Sequence, residues 1–168
     1  MRKQSFPPVA NAATHTLILG SLPGERSLAH QQYYAHPQNA FWRLMSAITG
    51  EDLRALDYPQ RLAALLQHGF GLWDVVAEAS RSGSLDSKIV DHTGNDLTGL
   101  ISTLPNLRSI AFNGGTAARI GSKALAASAG QHRILLLPSS SPAYTLAYAE
   151  KLLAWQQALG NTDQTGTR

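Results

Sequence analysis

Tyr33-Tyr34, followed by His36-Pro37-Gln38-Asn39, sets two flat rings and one amide in a single short loop. A ring can stack on a planar ligand, and an amide offers an acceptor and two donors. Asn39 has no useful basic pKa, so it cannot act as a strong general base. It can orient a water. That suits a reaction whose transition state is already cationic and needs only a positioned nucleophile. Cleavage of an N-glycosidic bond, with its oxocarbenium-like sugar, is such a reaction, and Tyr34 would stack on the base. The plainer reading makes Asn39 a helix cap and packs Tyr33, Tyr34, Phe41 and Trp42 into a core. For Phe41 and Trp42, core packing is the expectation.

The elements that must position these residues follow from hydrophobic runs. Thr14–Gly20, Phe70–Val76, Leu107–Asn113 and His132–Leu137 read as strands. They are too continuously apolar for one-sided strands and suit a parallel sheet covered on both faces. Helices are expected over Pro37–Thr49, Pro59–His68, Asp96–Leu104, Thr116–Ser128 and Ala143–Leu159. Pro37 at a first helical position would put Asn39 in the first turn, beside unpaired amides. Strand alternating with helix implies an α/β fold, a three-layer α/β/α sandwich around a central four-stranded, mainly parallel sheet. Ser80–Asn95 reads as a long polar connection, and such loops are often functional. The chain is 168 residues long. A single domain over 1–168 is expected, frayed at about 1–10 and 161–168.

In such a sheet the strand C-termini share one edge. That edge gathers Gly20-Ser-Leu-Pro-Gly24, the Asp74 region, Asn113-Gly-Gly115 and Pro138-Ser-Ser-Ser-Pro142. Small residues let backbone amides approach an anion, and Ser139, Ser140 and Ser141 add hydroxyls for phosphate oxygens. The net charge is +3 and the pI about 9.4. No acidic residue lies between Leu97 and Ala149, while Arg108, Arg119, Lys123 and Arg133 do. That distribution is compatible with a polyanionic partner.

Several chemistries are excluded. There is no cysteine, so no disulfide framework and no thiolate nucleophile. The histidines show no metal-ligand spacing. Gly115-Thr-Ala-Ala-Arg-Ile-Gly121-Ser-Lys123 has the wrong spacing and order for a phosphate loop. No Gly-x-Ser-x-Gly elbow and no dinucleotide fingerprint is present. No stretch approaches membrane-spanning length and the N-terminus lacks an apolar leader, so a cytoplasmic protein without membrane contact is expected.

Assembled, these motifs resemble the uracil-DNA glycosylase superfamily from Leu17 to about Trp155. Gly20-Ser-Leu-Pro-Gly24 and Ala35-His-Pro-Gln-Asn-Ala-Phe-Trp42 resemble the first motifs of its mismatch-specific branch. Pro138-Ser-Ser-Ser-Pro-Ala-Tyr144 takes the place of its strand-gripping motif. With Gly71-Leu-Trp-Asp-Val75 and Gly83-Ser-Leu-Asp-Ser87, the combination resembles the hypoxanthine-DNA glycosylase (DNA-deoxyinosine glycosylase) branch. Leu22 stands where most of the superfamily carries a water-activating Asp or Asn, and serines replace a histidine that stabilises a leaving uracil anion. Both departures imply poor uracil excision.

The resemblance implies a base-excision-repair glycosylase that flips deaminated bases, chiefly hypoxanthine, and leaves an abasic site. Asn39 would be catalytic. Tyr34, Asp74, Ser21 and Gly20 would bind the base. Pro23, Gly24, Ser139, Ser140, Ser141 and Tyr144 would contact DNA, with Tyr144 sized as a wedge. A carboxylate at Asp74 could accept the N1–H of hypoxanthine, a donor adenine lacks. No metal or organic cofactor is expected, the partner is DNA containing deaminated bases, and the enzyme should be a monofunctional monomer. Three other readings stand beside this one. They are a mismatch-type uracil or thymine glycosylase, a non-catalytic nucleic-acid-binding domain of the same fold, and a hydrolase of free nucleosides or nucleotides.

Overall fold

A computed structural model describes residues 2–81, 83–86, 89–128 and 130–160. In chain order the strands are β1 (Arg2–Gln4), β2 (Thr16–Gly20), β3 (Phe70–Asp74), β4 (Val76–Ser80), β5 (Val90–Gly94), β6 (Ser109–Asn113) and β7 (Arg133–Leu137). The helices are α1 (Glu25–His30), α2 (Phe41–Thr49), α3 (Tyr58–Gln67), α4 (Leu97–Ser102), α5 (Gly115–Ala124) and α6 (Tyr148–Leu159).

The expected parallel sheet is present, in the order β3-β2-β6-β7. Side chains alternate across a strand, and the core divides accordingly. Ile18 and Ala111 face a cluster with Phe41, Leu44, Met45, Leu65 and Trp155, which brings α2, α3 and α6 to one side. Leu17, Leu19, Ile110 and Phe112 face Leu97, Ala117 and Ile120, from α4 and α5 on the other. That is the three-layer α/β/α arrangement. Leu17, Ile18 and Leu19 are fully buried, and truncating such a leucine to alanine costs about 2–5 kcal/mol. On the α5 side a β-carbon on Gly121 would lie 2.2 Å from Phe112 Cε1, so a side chain there would push the helix off the sheet.

β7 departs from the expected two-sided burial. Ile134 is 47% and Leu136 68% exposed, because β7 is an edge strand and α5 covers β2 and β6 instead.

The structure also carries a second, antiparallel sheet in the order β1-β4-β5. The expected strand Phe70–Val76 therefore splits. Its parallel part ends at Asp74, and after Val75 the chain enters the other sheet as β4. Asn95 pins the crossing: its Nδ2 donates to Asp74 O (2.7 Å) and its backbone N–H to Val75 O (3.0 Å). Fraying is corrected for the N-terminus. β1 pairs with β4, and Val9 exchanges backbone hydrogen bonds with Leu72 at 2.8 Å. The 80–95 connection likewise contains β5; its residues 82, 87 and 88 lie outside the described residues, as do 161–168.

Two helix starts shift. Pro37 and Gln38 form a turn and α2 begins at Phe41. The segment is diverted because Ala40 N–H donates to Ser140 O (2.9 Å), on the loop after β7. The chain past Pro142 also turns before α6 begins at Tyr148.

Candidate active site

The parallel strands end together, and the loops beyond them enclose a cavity of about 780 Å³. Every residue expected at the site lines it: Gly20, Ser21, Pro23, Gly24, Tyr34, Asn39, Asp74, Ser139, Ser140, Ser141 and Tyr144. The resemblance to known motifs and the convergence of strand ends thus point to one place.

Asp74, the last residue of β3, is 4% exposed. Its Oδ2 is buried with no hydrogen-bond partner among the described residues. Burial pushes the carboxyl up to about 7; the Asp86 charge adds to the rise and Arg81 opposes it. Gly20, beside Asp74 in register, leaves the space that two side chains use. A β-carbon there would lie 2.6 Å from Asp74 Oδ1 and 2.9 Å from Tyr34 Oη.

Tyr34 sits in the left-handed region, at φ 56°. For a bulky residue that conformation costs about 1–3 kcal/mol and persists only where the surroundings impose it. Here Trp42 Nε1 donates to Tyr33 O (3.1 Å), Tyr33 N–H to Tyr58 Oη (2.9 Å) and Ala35 N–H to Ser27 Oγ (3.0 Å). The Tyr34 ring stacks on Phe41, with centroids 4.0 Å apart and planes 22° apart. Its hydroxyl accepts from Asn113 Nδ2 (3.3 Å). Burial, and next the Asp74 charge, hold its phenol above the ordinary range, so it remains a neutral donor. Tyr33, Phe41 and Trp42 pack in the core.

Asn39 lies ahead of α2 rather than in its first turn, which corrects the expected placement. Its Oδ1 accepts from Phe41 N–H (3.0 Å), and its own N–H donates to His36 O (2.9 Å). The amide therefore closes an Asx turn ahead of the N-cap Ala40 with one oxygen lone pair. The other lone pair and the NH₂ group remain for a water.

The serine loop is more ordered than a row of free hydroxyls. Ser140 is 1% exposed, its Oγ accepts from Asn113 Nδ2 (2.9 Å) and its N–H donates to Asn113 Oδ1 (2.9 Å). A direct phosphate contact through that hydroxyl is therefore corrected: Ser140 fixes the loop from inside. Ser139 Oγ accepts from Ser141 N–H (3.1 Å) and Ser141 Oγ from Ala143 N–H (3.2 Å), which leaves both hydroxyl protons to donate. Tyr144 is 47% exposed at the rim.

Sequence reasoning missed the residues that hold the first loop. Ser21 Oγ donates to Asp86 Oδ1 (2.6 Å). The Arg81 side chain is fully buried and donates to Gly83 O (3.0 Å), Leu22 O (3.4 Å) and Pro23 O. Its guanidinium lies 3.8 Å from Asp86. Ser84 Oγ accepts from Glu25 N–H (2.8 Å), and a β-carbon on Gly24 would crowd it at 3.1 Å. Leu22 itself turns into the core. The length and polarity of the 80–95 connection was the available signal. Nothing in the sequence distinguishes a buried arginine there from a solvated one. Asn113 was visible on the edge, but its bridging of Tyr34 and Ser140 was not.

Among the described residues no cluster of His, Cys, Asp or Glu could hold a metal ion. No helix among them is long and apolar enough to cross a membrane.

Comparison with known proteins agrees with this architecture. The family described as the uracil DNA glycosylase superfamily matches residues 7–162. A curated protein of Methanosarcina barkeri, named hypoxanthine DNA glycosylase, is 49% identical over 114 residues, 68% of this chain and 72% of its own length. One of the same name from Methanosarcina acetivorans is 48% identical over the same shares. A solution NMR structure from Methanosarcina acetivorans, provisionally described as a uracil DNA glycosylase, superposes with a TM-score of 0.83 at 41% identity, covering 95% of this chain and 97% of that one. With sequence and backbone in agreement over most of its length, the chain belongs to the uracil DNA glycosylase superfamily.

Proposed function

We propose that this chain is a monofunctional DNA glycosylase that excises deaminated bases, chiefly hypoxanthine. The observation that carries the reading is the buried, unpartnered Asp74 Oδ2 in the cavity wall. A buried acceptor without a donor is costly, and a ligand that brings an N–H relieves that cost. Hypoxanthine brings N1–H. Adenine presents a bare N1 there, which would face the carboxylate as acceptor against acceptor.

The nucleotide is extruded from the duplex, at least cost when it is mispaired. The base enters beside Tyr34, and Asp74 accepts N1–H. The bond between N9 and C1′ lengthens and its electron pair leaves with the base. The sugar becomes cationic, stabilised by the flanking DNA phosphates and by the polar groups of the cavity. A water held by Asn39 adds to C1′ and loses a proton to solvent, and the departing base takes one up. The products are free hypoxanthine and an abasic site with the strand intact. Asn39 contributes position rather than basicity, which fits a reaction in which charge develops on the sugar before the water attacks.

The test is a single-turnover assay on a duplex with one deoxyinosine, read after alkaline cleavage, with Asn39→Ala beside the wild type. Strand breaks that appear only after alkali, and their loss in a folded mutant, are expected. Release of uracil but not hypoxanthine would favour the mismatch-type reading. DNA binding without release of either base would leave the binding domain that Leu22 favours.

A further inference from the structure

A second cavity, of about 560 Å³, adjoins the first and shares Asn39, Pro142 and Tyr144 with it. Its other walls bring together Arg43 from α2, Arg54 from the turn after α2, and Lys151 from α6. No acidic residue lines it. Among the described residues none of these cations has a carboxylate within ion-pairing distance. The arrangement is ordered. The Arg43 guanidinium lies 3.5 Å over the Tyr148 ring, which fixes its plane and leaves its N–H edges free. Lys151 is 4% exposed and donates to Ser141 O (3.0 Å). An ammonium has further N–H donors to give. Two exposed arginines and a buried lysine line one concavity with no counter-charge, and an anion there would offset the cost of burying the Lys151 ammonium.

We infer that this cavity is a phosphodiester site that holds the backbone phosphate next to the flipped nucleotide through Arg43, Arg54 and Lys151. The assignment rests on the proposed DNA reading for its ligand. Asn39, Pro142 and Tyr144 border both cavities, so a strand that leaves one nucleotide in the first and crosses that border reaches the second. Lys151 also ties the site to the serine loop through Ser141 O. Phosphate binding there would therefore set the border of the base cavity as well as add affinity. The serines and the cations divide the strand between them: Ser139 and Ser141 offer neutral donors at the first cavity, and the cations supply charge at the second.

The test uses the full chain and a duplex bearing a stable abasic analogue, so no chemistry is needed. Binding is measured over a salt series for wild type and for Arg43→Gln/Arg54→Gln, whose changed residues are exposed and spare the core. The double variant should bind about tenfold or more weakly at physiological salt, and its log–log salt slope should be shallower by about one to two. Neutral methylphosphonates are then placed one at a time around the lesion. One position should weaken wild type and leave the double variant unmoved. An unchanged salt slope, or equal sensitivity of both proteins at every position, overturns the assignment. So does competition by inorganic phosphate at the cations with no methylphosphonate position that matters, which would make the ligand a free anion. Failure of the glycosylase reading shows separately, as wild type that binds the duplex and releases no base.

Discussion

The Asp74 carboxyl and the Tyr34 hydroxyl converge on the space that a side chain at Gly20 would take. A β-carbon there would lie 2.6 Å from the first and 2.9 Å from the second. The carboxyl and the phenol are therefore spaced by the absence of a side chain at residue 20. Gly20→Ala should force both groups outward. Overpacking of this kind costs about 1–3 kcal/mol. Excision of hypoxanthine should fall by roughly five- to 150-fold, the same energy expressed as a rate, with a smaller loss of DNA affinity. Thermal unfolding and single-turnover rates at saturating enzyme check this. A variant as active as wild type would show that Asp74 and Tyr34 do not act together on the base.

Asp74 links function and stability in opposite directions. Its carboxyl sits at about 7, well above the ordinary 3.8, because burial disfavours the charge. The fold therefore holds this proton more tightly than the unfolded chain does. The stability it confers is complete below the ordinary carboxylate range and is lost as pH rises towards about 7. Asp74→Asn should narrow the stability difference between pH 5 and pH 8, by an amount on the order of a few kcal/mol. Acceptance of N1–H needs the carboxylate, so hypoxanthine excision by wild type should rise with pH through the same range. Urea unfolding and rate profiles for both proteins test the two arms. A wild-type stability that does not fall between pH 5 and pH 8 contradicts the linkage.

Asn39 accepts the first N–H of α2 through Oδ1 and would hold water with what remains. Asn39→Ala should lower the single-turnover rate by about 10²-fold, the usual scale for a lost positioning group, while destabilising the protein by about 1 kcal/mol, the worth of one neutral hydrogen bond. DNA affinity should stay near wild type. A rate loss no larger than the stability loss explains would reduce Asn39 to the turn alone. The assay is excision at saturating enzyme, beside an unfolding curve.

The sequence made the parallel sheet legible because its central strands are covered on both faces. Thr16–Gly20 has no polar alternation to confuse it, and it ends in a glycine that the structure uses for close approach. The same logic overreached at β7, since an edge strand can be as apolar as a central one. The antiparallel sheet left no comparable mark. β1 is Arg-Lys-Gln, and its partner is most of a domain away in sequence, at Glu78–Ser80. Its pairing is made by backbone groups that any sequence carries. At the site, the placement of the candidate residues was legible: Tyr34, Asn39 and Asp74 all line the cavity. Their supports were less so. Ser140 reads as a surface hydroxyl and is buried, while Arg81 reads as a loop cation and has its side chain fully enclosed against the first loop.

That enclosure gives the last prediction. Arg81 donates to the carbonyls of Leu22, Pro23 and Gly83, and so ties the Gly20–Gly24 loop to the 80–95 connection. Asp86, which faces its guanidinium, also receives the Ser21 hydroxyl, so one arginine braces both loops where they line the cavity. Hydrogen bonds from a charged donor are worth about 1.5–3 kcal/mol each. Arg81→Met should therefore cost about 3 kcal/mol or more and loosen the loop around Ser21. Arg81→Lys keeps the charge but lacks the fork that spans several carbonyls, and should recover only part of the loss. A positioning role predicts more than instability: at a temperature where Arg81→Lys is fully folded, its rate at saturating enzyme should still fall while its DNA affinity holds. If that variant, once folded, excises at the wild-type rate, Arg81 serves the fold and not the site.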